Sequence, residues 1–140
     1  MAGRNLEILG PLMNEIGQAL AEISNGDPEG VFLYVEIGQG WVSSSVFKDE
    51  GERVRYLDGD GSVLDDLLFD AWYAVPKDKR WSVMEYDIKD GAFEVTLKYP
   101  EEVAVEGYDR GRRQAALHAR YGDKTVVYPP PPEGAFELKP

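Results

Sequence analysis

The chain has no cysteine and a single histidine, His118. The first absence excludes disulfides, thiolate metal sites and cysteine nucleophiles together. The second excludes any two-histidine metal site within one chain. Apolar runs are short, and none approaches the roughly 18 residues of a membrane span, so no membrane partner is expected. The opening stretch MAGRNLEILGPLMNEI has no compact apolar segment ending at a small-residue cleavage site. No signal peptide is therefore expected, and a cytoplasmic location follows as the default. Basic residues are the minority, with 15 Lys plus Arg against 26 Asp plus Glu and a formal charge of −11. Binding a phosphate backbone rests on many Lys and Arg contacts. An acidic chain starts on the wrong side of that balance, so no nucleic-acid partner is expected.

What is present is enough apolar material for one core, 43% hydrophobic residues over a length of 140. A chain of that size buries about two thirds of the surface its unfolded form exposes and folds without staples. Leu9, Leu12, Met13, Ile16, Leu20 and Ile23 recur at three- and four-residue steps and predict a helix. Pro11 places its regular start at about residue 10, and Asn25-Gly26 supplies its stop. VFLYVEIG follows, apolar on both faces, and predicts a central strand. WVSSSVFKD and ERVRYLD complete a three-stranded meander, with Val54 and Tyr56 facing inward. The period then changes: Val63, Leu64, Leu67, Leu68, Ala71 and Val75 fit a second helix, with Ser62 as its N-cap. WSVMEYDI and AFEVTLKY flank an Asp90-Gly91 hairpin turn. A last helix runs through YDRGRRQAALHAR, and a run of four prolines follows it.

The expected architecture is a single α+β domain of order α-β-β-β-α-β-β-α. Its five-stranded antiparallel sheet carries helices on one face. The domain occupies 1–127, and 128–140 form a proline-rich tail. Catalytic constellations are missing. Ser43, Ser44 and Ser45 lack the Gly-x-Ser-x-Gly elbow, His118 sits among alanines and arginines, and DGDG at residues 58–61 lacks the ligand pattern of a calcium loop. No phosphate-cradling or dinucleotide motif occurs. The reading is of a protein that is not an enzyme, with no cofactor and no metal.

Charge is then the informative feature. Asp58, Asp60, Asp65, Asp66 and Asp70 form one candidate partner-binding patch around the second helix, and Glu101, Glu102 and Glu106 form another. An acidic field speeds capture of a basic partner and is weakened by salt. Arg110, Arg112, Arg113 and Arg120 stand out on the last helix. With so many carboxylates present, these guanidinium groups are expected to pair within the molecule, and Tyr108, Arg112 and Arg113 are assigned structural roles.

Three segments carry a resemblance. Leu33, Tyr34, Glu36 and Ile37 form an LYxEI strand, Trp81 precedes the Asp90-Gly91 hairpin, and Tyr108 precedes Arg112-Arg113 on a helix. Together, over residues 10 to 125, they resemble the YezG-like immunity proteins, formerly DUF600. Alanines replace that family's usual aromatic residue on the closing helix, and the proline tail is a further departure. The resemblance implies an α+β antitoxin that binds and neutralises a cognate polymorphic bacterial toxin in the producing cell, with nucleases among such toxins. The element order, size and acidity also resemble type III secretion chaperones. Those are dimeric binding modules for an effector segment, so a homodimer stays open.

Overall fold

The computed structural model describes residues 2–57, 62–103 and 109–128, and the side chains of 9–57, 63–103 and 111–128. Helix α1, Ala2–Ile23, presents Leu9, Met13, Ile16 and Leu20 to the core, each essentially without solvent contact. The helix passes through Pro11 instead of starting there. An interior proline removes one helical hydrogen bond and costs about 3 kcal/mol. Leu9 lies on the N-terminal side of the proline and is fully buried, a contact that offsets much of that cost. The helix ends where Asn25 and Gly26 adopt φ of 57° and 85°, and the Gly26 N–H closes on the Ala21 carbonyl at 2.7 Å.

Strands β1 (Val31–Gly38), β2 (Trp41–Asp49) and β3 (Arg53–Leu57) form the expected meander. Helix α2, Ser62–Tyr73, separates it from the hairpin of β4 (Val83–Lys89) and β5 (Ala92–Lys98). Lys89 pairs with Ala92 across a two-residue turn, in which Asp90 and Gly91 both have positive φ, 56° and 75°. That is the primed geometry whose twist matches paired strands, and it explains why Asp-Gly occupies this position. Helix α3 (Pro100–Val103), helix α4 (Asp109–Tyr121) and strand β6 (Thr125–Val127) complete the order.

Two expectations are corrected. The sheet has six strands in the order β5-β4-β1-β2-β3-β6, and it is mixed because β6 runs parallel to β3. A three-residue strand is too short to register as an alternating pattern, and its partner lies some 70 residues earlier in the chain. Helices also cover both faces, because β1 is apolar on both. Val31, Leu33, Val35 and Ile37 meet α1 and α2, whereas Phe32 and Tyr34 meet α4 through Ala116 and Leu117. The proline tail from residue 129 onward lies outside the described residues. The Tyr128 ring packs against that of Tyr56, tilted by 40° with centroids 5.2 Å apart. Among the described residues no helix is long and apolar enough to cross a membrane.

Candidate binding cleft

The face under α4 is half polar, since Glu36, Ser45 and Glu85 are buried there. The α4 arginines meet this stripe. Arg112 donates to Glu36 at 2.7 Å, and Tyr34 donates its hydroxyl to the other Glu36 oxygen, also at 2.7 Å. Arg113 reaches the Ser45 hydroxyl at 3.1 Å. Arg120 grips Asp87 with two bonds of 2.8 and 2.7 Å, contacts Glu85 at 2.9 Å, and lies over the Phe32 ring at 3.9 Å. Burial works to lower the Arg120 pKa, and the bonds to Asp87 and Glu85 overcome it, so the net shift is upward. Tyr34 is pushed above its ordinary value by burial first and by its bond to Glu36 second. These groups tie a helix to a sheet, and their charges are spent on one another.

Charge remains available at one end of the sheet. The α1–β1 turn, the β2–β3 turn and the β4–β5 turn converge there with the last turn of α4. Glu29 sets the geometry, accepting the Asp90 and Gly91 N–H groups at 2.7 and 3.2 Å. Gly30 bonds the Ile88 carbonyl at 2.9 Å and accepts from the Asp49 N–H at 3.0 Å. Lys48 donates to the carbonyls of Asp27 and Glu29. Asp49 accepts the Gly51 N–H at 2.9 Å and Lys124 at 3.0 Å. The Gly51 bond, ahead of Lys124, holds the Asp49 carboxyl below the usual range.

These turns enclose an open cleft of about 900 Å³ lined by Glu29, Asp49, Asp87, Asp90 and Glu94, with Lys89 and Arg120 as the lining cations among the described residues. Phe93 and Tyr121 give it an aromatic wall. The side-chain carboxylates of Asp90 and Glu94 make no hydrogen bond or ion pair with the described residues. A groove alongside adds Asp27, paired with Lys48, Glu50, paired with Arg53 and Arg55, and Glu52. With Asp49 paired to Lys124 and Asp87 to Arg120, the carboxylates of Glu29, Asp90 and Glu94 still outnumber Lys89, a local excess that attracts positive charge, and the aromatic wall suits the stem of an arginine or lysine.

The chain matches no protein-family model and no curated protein.

Of the acidic positions singled out in sequence, Asp58, Asp60 and Glu106 lie outside the described residues, as does Tyr108. Asp65 is half-buried and accepts the Ser44 hydroxyl at 2.8 Å. Asp66 and Asp70 are exposed, one helical turn apart on α2. Glu101 and Glu102 are exposed on α3, where Glu102 caps the Tyr99 N–H at 3.0 Å. The two patches belong to elements on opposite faces of the sheet, since α2 packs in the larger cluster and Val103 of α3 in the smaller. They are not brought together. Sequence reasoning missed the cleft because three turns far apart in the chain build it. The one available signal was the acidic content of the turns themselves, at Asp27-Pro-Glu29, Asp49-Glu50-Gly51-Glu52 and Asp90. Among the described residues, no group of three His, Cys, Asp or Glu side chains is arranged to hold a metal ion.

Proposed function

We propose that this protein is a non-catalytic acidic binding module that captures a basic partner protein in the cleft between the three turns. The observation that carries this reading is the excess of carboxylates lining the cleft, two of them without a described partner. The class of partner comes from elsewhere. The resemblance to YezG-like immunity proteins makes it a cognate toxin domain, possessing a basic substrate channel if it is a nuclease, which the bound protein silences. One geometric fact supports using that resemblance. Two of its three segments meet, since Tyr34 and Glu36 of the LYxEI strand form one network with Arg112 of the Arg-Arg helix.

The test is co-purification of tagged protein from producing cells at low salt, followed by activity assays on the captured protein. A folded basic domain is expected, active alone and silent in the complex. Its affinity should fall about tenfold when Asp90→Asn and Glu52→Gln remove two cleft-side charges, and fall again with added salt. Asn keeps the turn geometry at residue 90, so the fold is left intact. A partner whose binding ignores both salt and these substitutions would refute the cleft. An unfolded effector segment held by a dimer would replace immunity with a chaperone role.

A further inference from the structure

The two edges of the sheet differ. β6 is three residues long, whereas β5 presents seven, largely exposed, and no described residue pairs with its outer side. An open strand edge is a template for another strand. The hairpin determines which β5 groups are available. In a two-residue turn the flanking residues, Lys89 and Ala92, form a hydrogen-bonded pair, and bonded residues alternate from there. Ala92, Glu94, Thr96 and Lys98 thus direct their backbone groups to β4, as the Lys98 carbonyl does in accepting the Ser82 N–H at 2.8 Å. Phe93, Val95 and Leu97 direct theirs outward. At Tyr99 the ladder stops, because Glu102 holds its N–H and α3 holds its carbonyl.

The side chains on this edge complement themselves. Running a second β5 antiparallel about a twofold axis at Thr96 places Glu94 opposite Lys98 of the second copy, twice, and Thr96 opposite Thr96; Lys98, which lies 3.5 Å from Glu85 of its own chain, would then bridge two carboxylates. Val95 then meets Leu97, and those two residues are the ones with outward backbone groups. Phe93, 41% exposed, meets Tyr99 on the same apolar side. We infer that β5 is a homodimerisation edge, which joins two copies into one continuous twelve-stranded sheet through the register centred on Thr96. The second copy is chosen over a foreign strand because oppositely charged residues fall opposite each other on both sides of that axis.

The absence of cysteine gives a clean test. Facing residues of a non-hydrogen-bonded pair lie about 4.5 Å apart at Cα, within disulfide reach. Thr96→Cys should therefore crosslink two copies under mild oxidation, and Val95→Cys, which faces Leu97 instead, at least about tenfold more slowly. Sedimentation velocity supplies an independent reading. The unmodified chain should show a monomer–dimer equilibrium. E94K and K98E alone, each folded by circular dichroism, should weaken it about tenfold or more, because like charges then face each other. Mixing those two variants should restore dimers, since only the mixed pair matches opposite charges. A chain that stays monomeric at every concentration, or variants that dimerise as well alone as together, would overturn the proposal. So would preferential crosslinking of Val95→Cys.

Discussion

Arg112→Met removes one partner of a pair withdrawn from water. The side chains of Arg112 and Glu36 are 11% and 7% exposed and meet at 2.7 Å. Methionine keeps most of the aliphatic stem and its packing, so the main loss is the guanidinium. Glu36 is then left beside Tyr34 with its charge buried. Breaking such a pair from one side costs about 3–5 kcal/mol, far above the 0–1 kcal/mol of an exposed pair. For a chain of this length that corresponds to a fall of roughly 10–17 °C in melting temperature. Adding Glu36→Gln removes the stranded charge and keeps an acceptor for the Tyr34 hydroxyl. The double variant should recover at least about half the loss, a coupling of about 1.5 kcal/mol or more in a double-mutant cycle. Urea denaturation of the four proteins measures it. Arg113→Met is an internal control, because its partner is the neutral Ser45 hydroxyl, and should cost about 0.5–1.5 kcal/mol. An Arg112→Met loss no larger than that of Arg113→Met would refute the reasoning, as would a double variant no more stable than the single.

Gly17→Ala should destabilise although alanine favours helices by about 1 kcal/mol, because the new Cβ falls 2.8 Å from the Tyr86 hydroxyl. That hydroxyl is buried and donates to the Met13 carbonyl at 2.8 Å, so it has no easy retreat. Tyr86→Phe alone should cost about 1 kcal/mol, and combined with Gly17→Ala it should reverse the alanine penalty; thermal melts of the three variants decide it. Asp49 should contribute acid sensitivity. Its folded pKa is depressed, so its stabilisation is present above the unfolded value of about 3.9 and is lost as pH falls through the folded one. Asp49→Asn should accordingly lower the urea midpoint at about pH 7, and the gap to the parent should close as pH falls through the depressed folded pKa of Asp49. A gap that stays constant with pH would argue against it.

The local signals in the sequence were sufficient where one element carries its own pattern. Alternation in β1 through β5 and the Asp90-Gly91 turn read directly as a meander and a hairpin, and the two-sided apolarity of β1 marked it as central. A two-sided strand also implies cover on both faces, which a one-faced arrangement of helices overlooks. Composition alone makes carboxylate partners for the α4 arginines reasonable. That the partners are Glu36, Glu85 and Asp87 depends on contacts spanning 33 to 76 residues, which no window of sequence contains. The cleft is hidden for the same reason. Its carboxylates sit in turns, which have no periodicity to read. Strand β6 is invisible in a third way, being shorter than the shortest pattern that alternation can establish.

The ionic seam beneath α4 has a consequence for the order in which the protein is made. Synthesis finishes the meander, α2 and the β4–β5 hairpin before residues 109–121 leave the ribosome. In that interval one side of the sheet closes under α1 and α2, while the other shows Phe32, Tyr34 and Phe47 beside carboxylates that still lack their arginines. Those carboxylates keep the unfinished side wetted, so the nascent sheet is less prone to stick to its neighbours than an all-apolar face would be. The last segment to emerge brings the arginines with it, and the same charges that guarded the half-built sheet become the bonds that close it.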